Sequence, residues 1–363
     1  MHLISIYIGA FLVAFLNYLV NVSIPMFLTR KFLASPFIIG MSGFFGSFGY
    51  TLTTFIFSKL KISKTFPSFI PAVISIGIFY LLLPFSPSYA LFFTIQFFIG
   101  IAYGRFWPPL QRTLGSIDSS KVDIFNLSWS GAVILGALFS GYAFTFNIFF
   151  PFLIGGVLCI LVFIIFLPFF RTFKNYLSNK KEVKREKKKE FKKRLKSIRI
   201  LNFLTFFSMG TTMFIFPRYG LDIDYSPQLI GKILSVLLVA RFIAFYIFKK
   251  FKIEISKDIL ISYILTSIGL ASIGFFKNPV IHSLSMIIIG ISNAFSFKES
   301  LLYHLYGGYA TEIHEGIVGA GFLTGPPVMG ILSKFFGIQN AFIISAFLIL
   351  ITGIIVEGKQ NRY

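Results

Sequence analysis

Arg171–Arg199 reads RTFKNYLSNKKEVKREKKKEFKKRLKSIR, about fourteen Lys and Arg against three Glu in a chain that is otherwise apolar. It falls near the midpoint, with about 170 residues before it and 164 after. On either side run greasy segments of about twenty residues separated by short polar breaks. A charged block this dense cannot enter a bilayer, so it lies in water or among headgroups. Positive charge is held on the cytoplasmic side, so the block sets the orientation of everything around it.

Composition agrees. The 363 residues are 56% hydrophobic and only 13% charged, with 50 Phe. A soluble domain would carry about 25% charged residues. An all-α integral membrane protein is expected. The net charge of +21 raises nucleic acid as a partner, but the basic residues crowd the cytoplasmic loops and no reading motif accompanies them. Anionic membrane lipid headgroups at the 171–199 block explain the charge better. Cys159 is the single cysteine and sits in an apolar span, so no disulfide framework and no zinc spacing exist. The histidines (His2, His282, His304, His314) form no ligand pattern. No metal and no cofactor is expected. The N-terminal apolar run outlasts a signal-peptide core and lacks a basic leader and a small-residue cleavage site, so it reads as a retained first span.

Hydropathy lays down twelve spans. The first half gives Leu3–Leu28, Pro36–Ser58, Pro67–Phe85, Tyr89–Leu110, Val122–Phe146 and Ile148–Phe170. The second gives Ile200–Phe216, Gln228–Phe248, Ile259–Phe276, Val280–Leu301, Ile313–Leu332 and Ile338–Val356. The expected domains are residues 1–170, a basic cytoplasmic linker 171–199, and residues 200–363. An even number of spans puts both termini and the linker on one face. That face collects about 25 Lys and Arg and the other about six. Both termini are therefore expected in the cytoplasm, with the cell (plasma) membrane as location. Within the linker, Phe191, Leu195 and Ile198 fall at helical spacing. A short amphipathic helix on the inner surface and an unstructured linker both fit.

The two halves match each other at an offset of about 190 residues. Ser35-Pro36-Phe37-Ile38-Ile39-Gly40 recurs as Ser226-Pro227-Gln228-Leu229-Ile230-Gly231. Phe55–Ile62 recurs as Tyr246–Ile253. Ile99-Gly100-Ile101-Ala102 recurs as Ile289-Gly290-Ile291-Ser292, and Gly136 with Gly141 recurs as Gly325 with Gly330. Matches in order at nearly constant offset exceed what apolar composition produces. Each unit has an even number of spans, so the halves run in parallel, related by a pseudo-twofold along the membrane normal.

Span 11 carries Gly321-Phe322-Leu323-Thr324-Gly325-Pro326-Pro327-Val328-Met329-Gly330, and span 5 carries Gly131 through Gly136-Ala137-Leu138-Phe139-Ser140-Gly141. Small residues let helices approach closely and Pro bends them. Two six-helix bundles joined by a basic loop, with these glycine patterns, resemble the major facilitator superfamily. The span 11 pattern is similar to that family's GxxxGPxxG, with one extra residue before the last Gly. The loop after span 2, Phe57–Lys64, is basic like the family's GxLxDRxGRR but has no Asp. Gln96 stands where the family's RxxQG places Arg.

The resemblance implies a substrate site near the bilayer midplane, lined mainly by spans 1, 4, 7 and 10. Polar groups at that depth are costly unless used. The cavity candidates are Asn17 and Asn21 in span 1, Gln96 and Tyr103 in span 4, Asn293 and Ser296 in span 10, and Arg241 in span 8. Helix–helix hydrogen bonding competes with cavity lining for each of the uncharged ones. For Arg241 the competitor is snorkelling to the inner surface. Coupling and gating candidates are Arg105 with Asp123, read first as an ion pair bracing the inner gate, and His314 with Glu315, where a carboxyl beside an imidazole can load a proton. Lys298-Glu299 read as interfacial.

The function expected is a secondary active transporter moving a small organic solute by alternating access, since no GxxxxGK[ST] loop exists to bind nucleotide. Proton coupling is the first expectation and facilitated diffusion the alternative. A monomer is the family default. Two rivals remain: a sensor or structural protein that keeps the fold without transport, and a polytopic enzyme. The enzyme is disfavoured because the sequence offers no paired carboxylates and no metal spacing.

Overall fold

Each of the twelve hydropathy segments becomes a helix in the computed structural model, which describes residues 2–60, 69–117, 119–167, 190–250, 259–306 and 311–360. In chain order they are α1 (His2–Phe32), α2 (Pro36–Leu60), α3 (Phe69–Leu82), α4 (Tyr89–Ile117), α5 (Ser119–Phe146) and α6 (Phe150–Phe166). The second half adds α7 (Glu190–Asp222), α8 (Pro227–Lys250), α9 (Ile259–Phe275), α10 (Pro279–Tyr306), α11 (Thr311–Phe336) and α12 (Ile338–Gln360). A 3-10 turn, Leu83–Phe85, closes α3. Among the described residues eight helices are long and apolar enough to cross a membrane, while α3 with its turn, α6 and α9 are shorter apolar helices.

Several helices outrun their hydropathy limits. A helix keeps its hydrogen bonds in water as well as in lipid, so it ends where the backbone turns and not where polarity begins. At α7 the basic residues Glu190–Arg199 form the first turns of the helix and continue directly into span 7. Leu195 and Ile198 are buried there while Lys196 is exposed, on a helix continuous with span 7; the side chain of Phe191, the third member of the expected spacing, lies outside the described residues. The remainder of the basic block lies outside the described residues.

The chain divides into two compact units, Met1–Ile24 with Phe45–Val183 and Pro25–Phe44 with Lys184–Tyr363. The first division falls at Pro25, inside α1. Proline has no N–H to give the preceding turn, and neighbouring hydroxyls help to hold such a helix. Here Ser23 donates to the Leu19 carbonyl at 2.7 Å and Thr29 to the Pro25 carbonyl at 2.8 Å.

Within each unit the same helix pairs meet on glycine. A Cβ on Gly100 of α4 would strike the Gly46 carbonyl of α2, and one on Gly290 of α10 would strike the Leu237 carbonyl of α8. Gly136 of α5 faces the Phe15 carbonyl of α1 in the same way, as Gly325 of α11 faces the Phe207 carbonyl of α7. These are the glycines that the internal repeat pairs. Their agreement makes the repeat a property of packing, because only a residue without a side chain lets two backbones come this close.

Candidate functional site

In the first unit, Asn17 and Asn21 are half-buried one turn apart on α1, and the Asn21 amide donates to Asn17 Oδ1. Gln96 of α4 is 3% exposed, and its Nε2 has no hydrogen-bond partner. Its Oε1 would lie 3.5 Å from a Cβ on Gly46, so the glycine leaves the amide room. Tyr103 is committed elsewhere: its phenol meets that of Tyr80 on α3 at 2.7 Å. Arg105 is half-buried on α4. Asp123 belongs to α5, but its side chain, and with it the expected pair with Arg105, lies outside the described residues.

In the second unit a polar stripe runs up α7. Thr205 Oγ1 donates to the Asn202 carbonyl at 3.1 Å, Ser208 to that of Thr205 at 3.2 Å, and Thr212 to that of Ser208 at 2.8 Å. Ser296 of α10 meets the Thr205 hydroxyl at 2.5 Å. Asn293, one turn away, is fully buried, and neither its amide oxygen nor its nitrogen has a partner. Ser292 bonds to the Ser262 and Thr266 hydroxyls of α9 at 2.6 and 2.7 Å, so it ties α10 to α9.

Arg241 of α8 is 6% exposed. Its guanidinium carbon lies 5.7, 5.4 and 5.5 Å from the ring centres of Phe206, Phe245 and Phe297, and Nη1 points at the Met209 sulfur. This is a cation held among aromatic faces inside the bundle, not one reaching for a surface.

Where α7, α10 and α11 come together, His304 and His314 are both fully buried. Arg199 Nε–H donates to His304 Nε2 at 3.1 Å, and His304 Nδ1 lies 2.6 Å from the Ser300 carbonyl. The Ser300 hydroxyl in turn lies 2.9 Å from His314 Nδ1. Phe297 packs edge-on against His314 at 4.7 Å. Glu315 is half-buried beside it. Glu299, expected at the interface, is 3% exposed, whereas its neighbour Lys298 does reach out, to the Phe248 carbonyl at 3.3 Å. Near the far end of α7 lies a separate concavity of about 250 Å³ lined by Tyr219, Asp222, Lys277 and Gln339.

The family model of the Major Facilitator Superfamily matches residues 6–305. The chain belongs to that superfamily. It is a secondary transporter and a multi-pass membrane protein. Among solved structures it is similar to the nucleoside transporter NupG, with a TM-score of 0.82 at 14% identity over 100% of both chains. A POT family transporter in complex with 5-aminolevulinic acid gives 0.79 at 13% identity, over 99% of this chain and 96% of that one. A bacterial homologue of the human lysosomal transporter Spinster gives 0.74 at 11% identity, again over 99% and 96%. Comparison with curated proteins gives no match.

In this member of the superfamily the GxxxGPxxG-like pattern has a readable geometry. A Cβ on Gly321 would lie 2.6 Å from the Phe203 carbonyl of α7, and Gly325 faces that of Phe207 one turn on. The Pro326 carbonyl abuts Gly40 of α2, and a Cβ on Gly330 would come within 2.8 Å of the Pro36 carbonyl and of the Phe37 Cα. In α5, Gly141 is buried and its carbonyl accepts from Thr145 at 2.9 Å. Sequence reasoning read Glu299 as interfacial, where it is buried, and assigned no role to Asn202, His304 or Tyr80. For Asn202 a signal existed: Asn202, Thr205, Ser208 and Thr212 recur at helical spacing in span 7. For Tyr80 there was none, because its partner lies 23 residues away.

Proposed function

We propose that this chain carries a small organic solute across the plasma membrane by alternating access, with twelve crossing helices in two parallel bundles and both termini in the cytoplasm. The observation that carries the solute reading is the set of buried, unpartnered amides among the described residues, Gln96 Nε2 in one unit and the Oδ1 and Nδ2 atoms of Asn202 and Asn293 in the other. An amide buried without a partner costs about 1–3 kcal/mol, and a polar ligand that bonds to it recovers that cost. Asn17, Asn21, Tyr103, Ser296 and Arg241 stand with them as substrate contacts. Tyr103 and Ser296 would have to release Tyr80 and Thr205 first. Arg241 among its three rings favours a solute with an anionic group and an apolar body.

Proton coupling is assigned to Glu315 beside His314, and Arg105 with Asp123 to the inner gate. Anionic headgroups are the partner of the basic 171–199 block, and the monomer is the working unit.

The test is thermal unfolding of the purified protein against nucleosides, short peptides, amino acids and organic acids, at two pH values. A true ligand raises the midpoint, and more so as its concentration exceeds its Kd. The hit is then taken into proteoliposomes. Uptake that follows an imposed proton gradient supports the reading. A ligand that binds and is never moved would support the sensor instead.

A further inference from the structure

We propose that the concavity of about 250 Å³ near the far end of α7 holds the phosphate of an anionic phospholipid, gripped by Lys277 and the N-terminus of α12. Three chain turns meet there. The end of α7 brings Tyr219 and Asp222, the turn from α9 to α10 brings Lys277, and the turn from α11 to α12 brings Gly337, Gln339 and Asn340.

Donors are left over at this hollow, and the acceptors around it are taken. The first N–H groups of a helix have no acceptor within it and carry the positive end of its dipole. In α12 those groups belong to Ile338, Gln339 and Asn340, all of which line the hollow. The carbonyls that would repel an anion are occupied. Asn340 Nδ2 donates to the Phe336 carbonyl at 2.9 Å, Gln339 Nε2 to that of Gly274 at 3.4 Å, and His282 Nε2 to that of Phe276 at 2.7 Å. Tyr219 underlies the site, 2% exposed. Its hydroxyl interacts with Gln339 without a hydrogen bond of ordinary geometry, so it is still short of a partner. An anionic oxygen arriving beside it supplies one.

The charges favour the same ligand. Asp222 is the carboxylate among the lining residues, and Arg218 neutralises it, with Nη2 at 2.9 Å from Oδ1 and Nε donating to Oδ2 at 3.1 Å. Lys277 has no ion pair among the described residues, so its charge is unspent. Topology does not account for that charge. The face opposite the linker is poor in Lys and Arg, yet Arg218, Lys277 and Lys334 gather at this corner. The corresponding turns of the first half, 86–88 and 147–149, read Ser-Pro-Ser and Asn-Ile-Phe, without a cation. The fold is therefore built without it in one half and carries it in the other.

A phospholipid fits better than a free anion because of what surrounds the lysines. Phe275 and Phe276 precede Lys277, Phe335 and Phe336 follow Lys334, and all four rings are exposed. Apolar rings beside cations at helix ends suit a headgroup phosphate above and acyl chains below.

The proposal is independent of the solute reading, and its test needs no substrate. The full-length protein is placed in nanodiscs with phosphatidylglycerol carrying a photoactivatable headgroup, and crosslinked peptides are mapped by mass spectrometry. Peptides covering 218–223, 274–280 and 334–340 should be labelled, and more strongly than by a phosphatidylcholine probe of the same build. At sub-saturating probe, Lys277→Gln should cut that labelling about tenfold, as loss of one charge-assisted contact implies. Labelling of the 171–199 linker should not change, which shows that the variant is folded and inserted. Equal labelling by the two lipids overturns the proposal, and so does a Lys277→Gln protein labelled like the wild type. Displacement of the lipid probe by millimolar inorganic phosphate would assign the site to the free anion, against the lipid.

Discussion

The Tyr103 phenol on α4 meets the Tyr80 phenol on α3 at 2.7 Å, with Tyr80 wholly buried and Tyr103 nearly so. Removing one hydroxyl strands the other. Tyr103→Phe should lower stability by about 1–3 kcal/mol, and Tyr80→Phe likewise. The double variant should recover most of the loss, because no orphan remains. Thermal midpoints of the four proteins check this, and additive losses would refute it.

Gly325 and Gly131 occupy opposite situations. A Cβ at Gly325 would run into the Phe207 carbonyl, while one at Gly131 meets nothing within 4 Å. Gly325→Ala should therefore force α11 from α7 and markedly reduce folded yield. Gly131→Ala should be neutral or stabilising, by about 0.5–1 kcal/mol, since Ala favours a helix interior. Detergent-solubilised monomer recovered by size exclusion is the readout.

Leu33 sits between α1 and α2 with φ +51° and 86% of its surface exposed, and Gly337 precedes α12 with φ +79°. A side chain at positive φ costs about 1–2 kcal/mol. Leu33→Gly removes that strain and almost no packing, so the unfolding midpoint should rise. Gly337→Ala introduces it despite open space, so the midpoint should fall. Equal midpoints for both would contradict the argument.

Glu315→Gln keeps size and hydrogen bonding while fixing the neutral form. Uptake into proteoliposomes should lose its dependence on an imposed proton gradient, and exchange of labelled for unlabelled substrate should continue. Gradient-driven uptake at the wild-type rate would move coupling away from this residue.

Much of the architecture was legible because a bilayer imposes a length and an apolar composition on whatever crosses it. The starts of α2, α4, α9 and α12 fall on the residues that hydropathy indicated or one or two positions away. The internal repeat was legible too, and the structure gives its physical content at Gly100 and Gly290, and at Gly136 and Gly325. The site was legible only in part. Hydropathy marks a polar residue as expensive but not whether a neighbour already uses it. Ser292 is engaged by Ser262 and Thr266, while Asn293 beside it has no partner. That difference depends on which side of α10 each residue faces. His304 looked unremarkable at the end of a span because the residue that donates to it, Arg199, is 105 positions away.

The sequence has two halves joined through its basic middle, and the contacts draw a different line. Residues Pro25–Phe44 belong with the C-terminal unit, where Gly40 lies against the Pro326 carbonyl and Gly330 against Pro36 and Phe37. A cut between Val183 and Lys184 would therefore keep the first unit whole but split the second, leaving Pro25–Phe44 on the N-terminal fragment. The N-terminal fragment would carry a backbone surface shaped to α11 with nothing upon it, and the C-terminal fragment the matching hollow. Such fragments should be poorly behaved when made apart and should rescue each other when made together, as split halves of a single folding unit do.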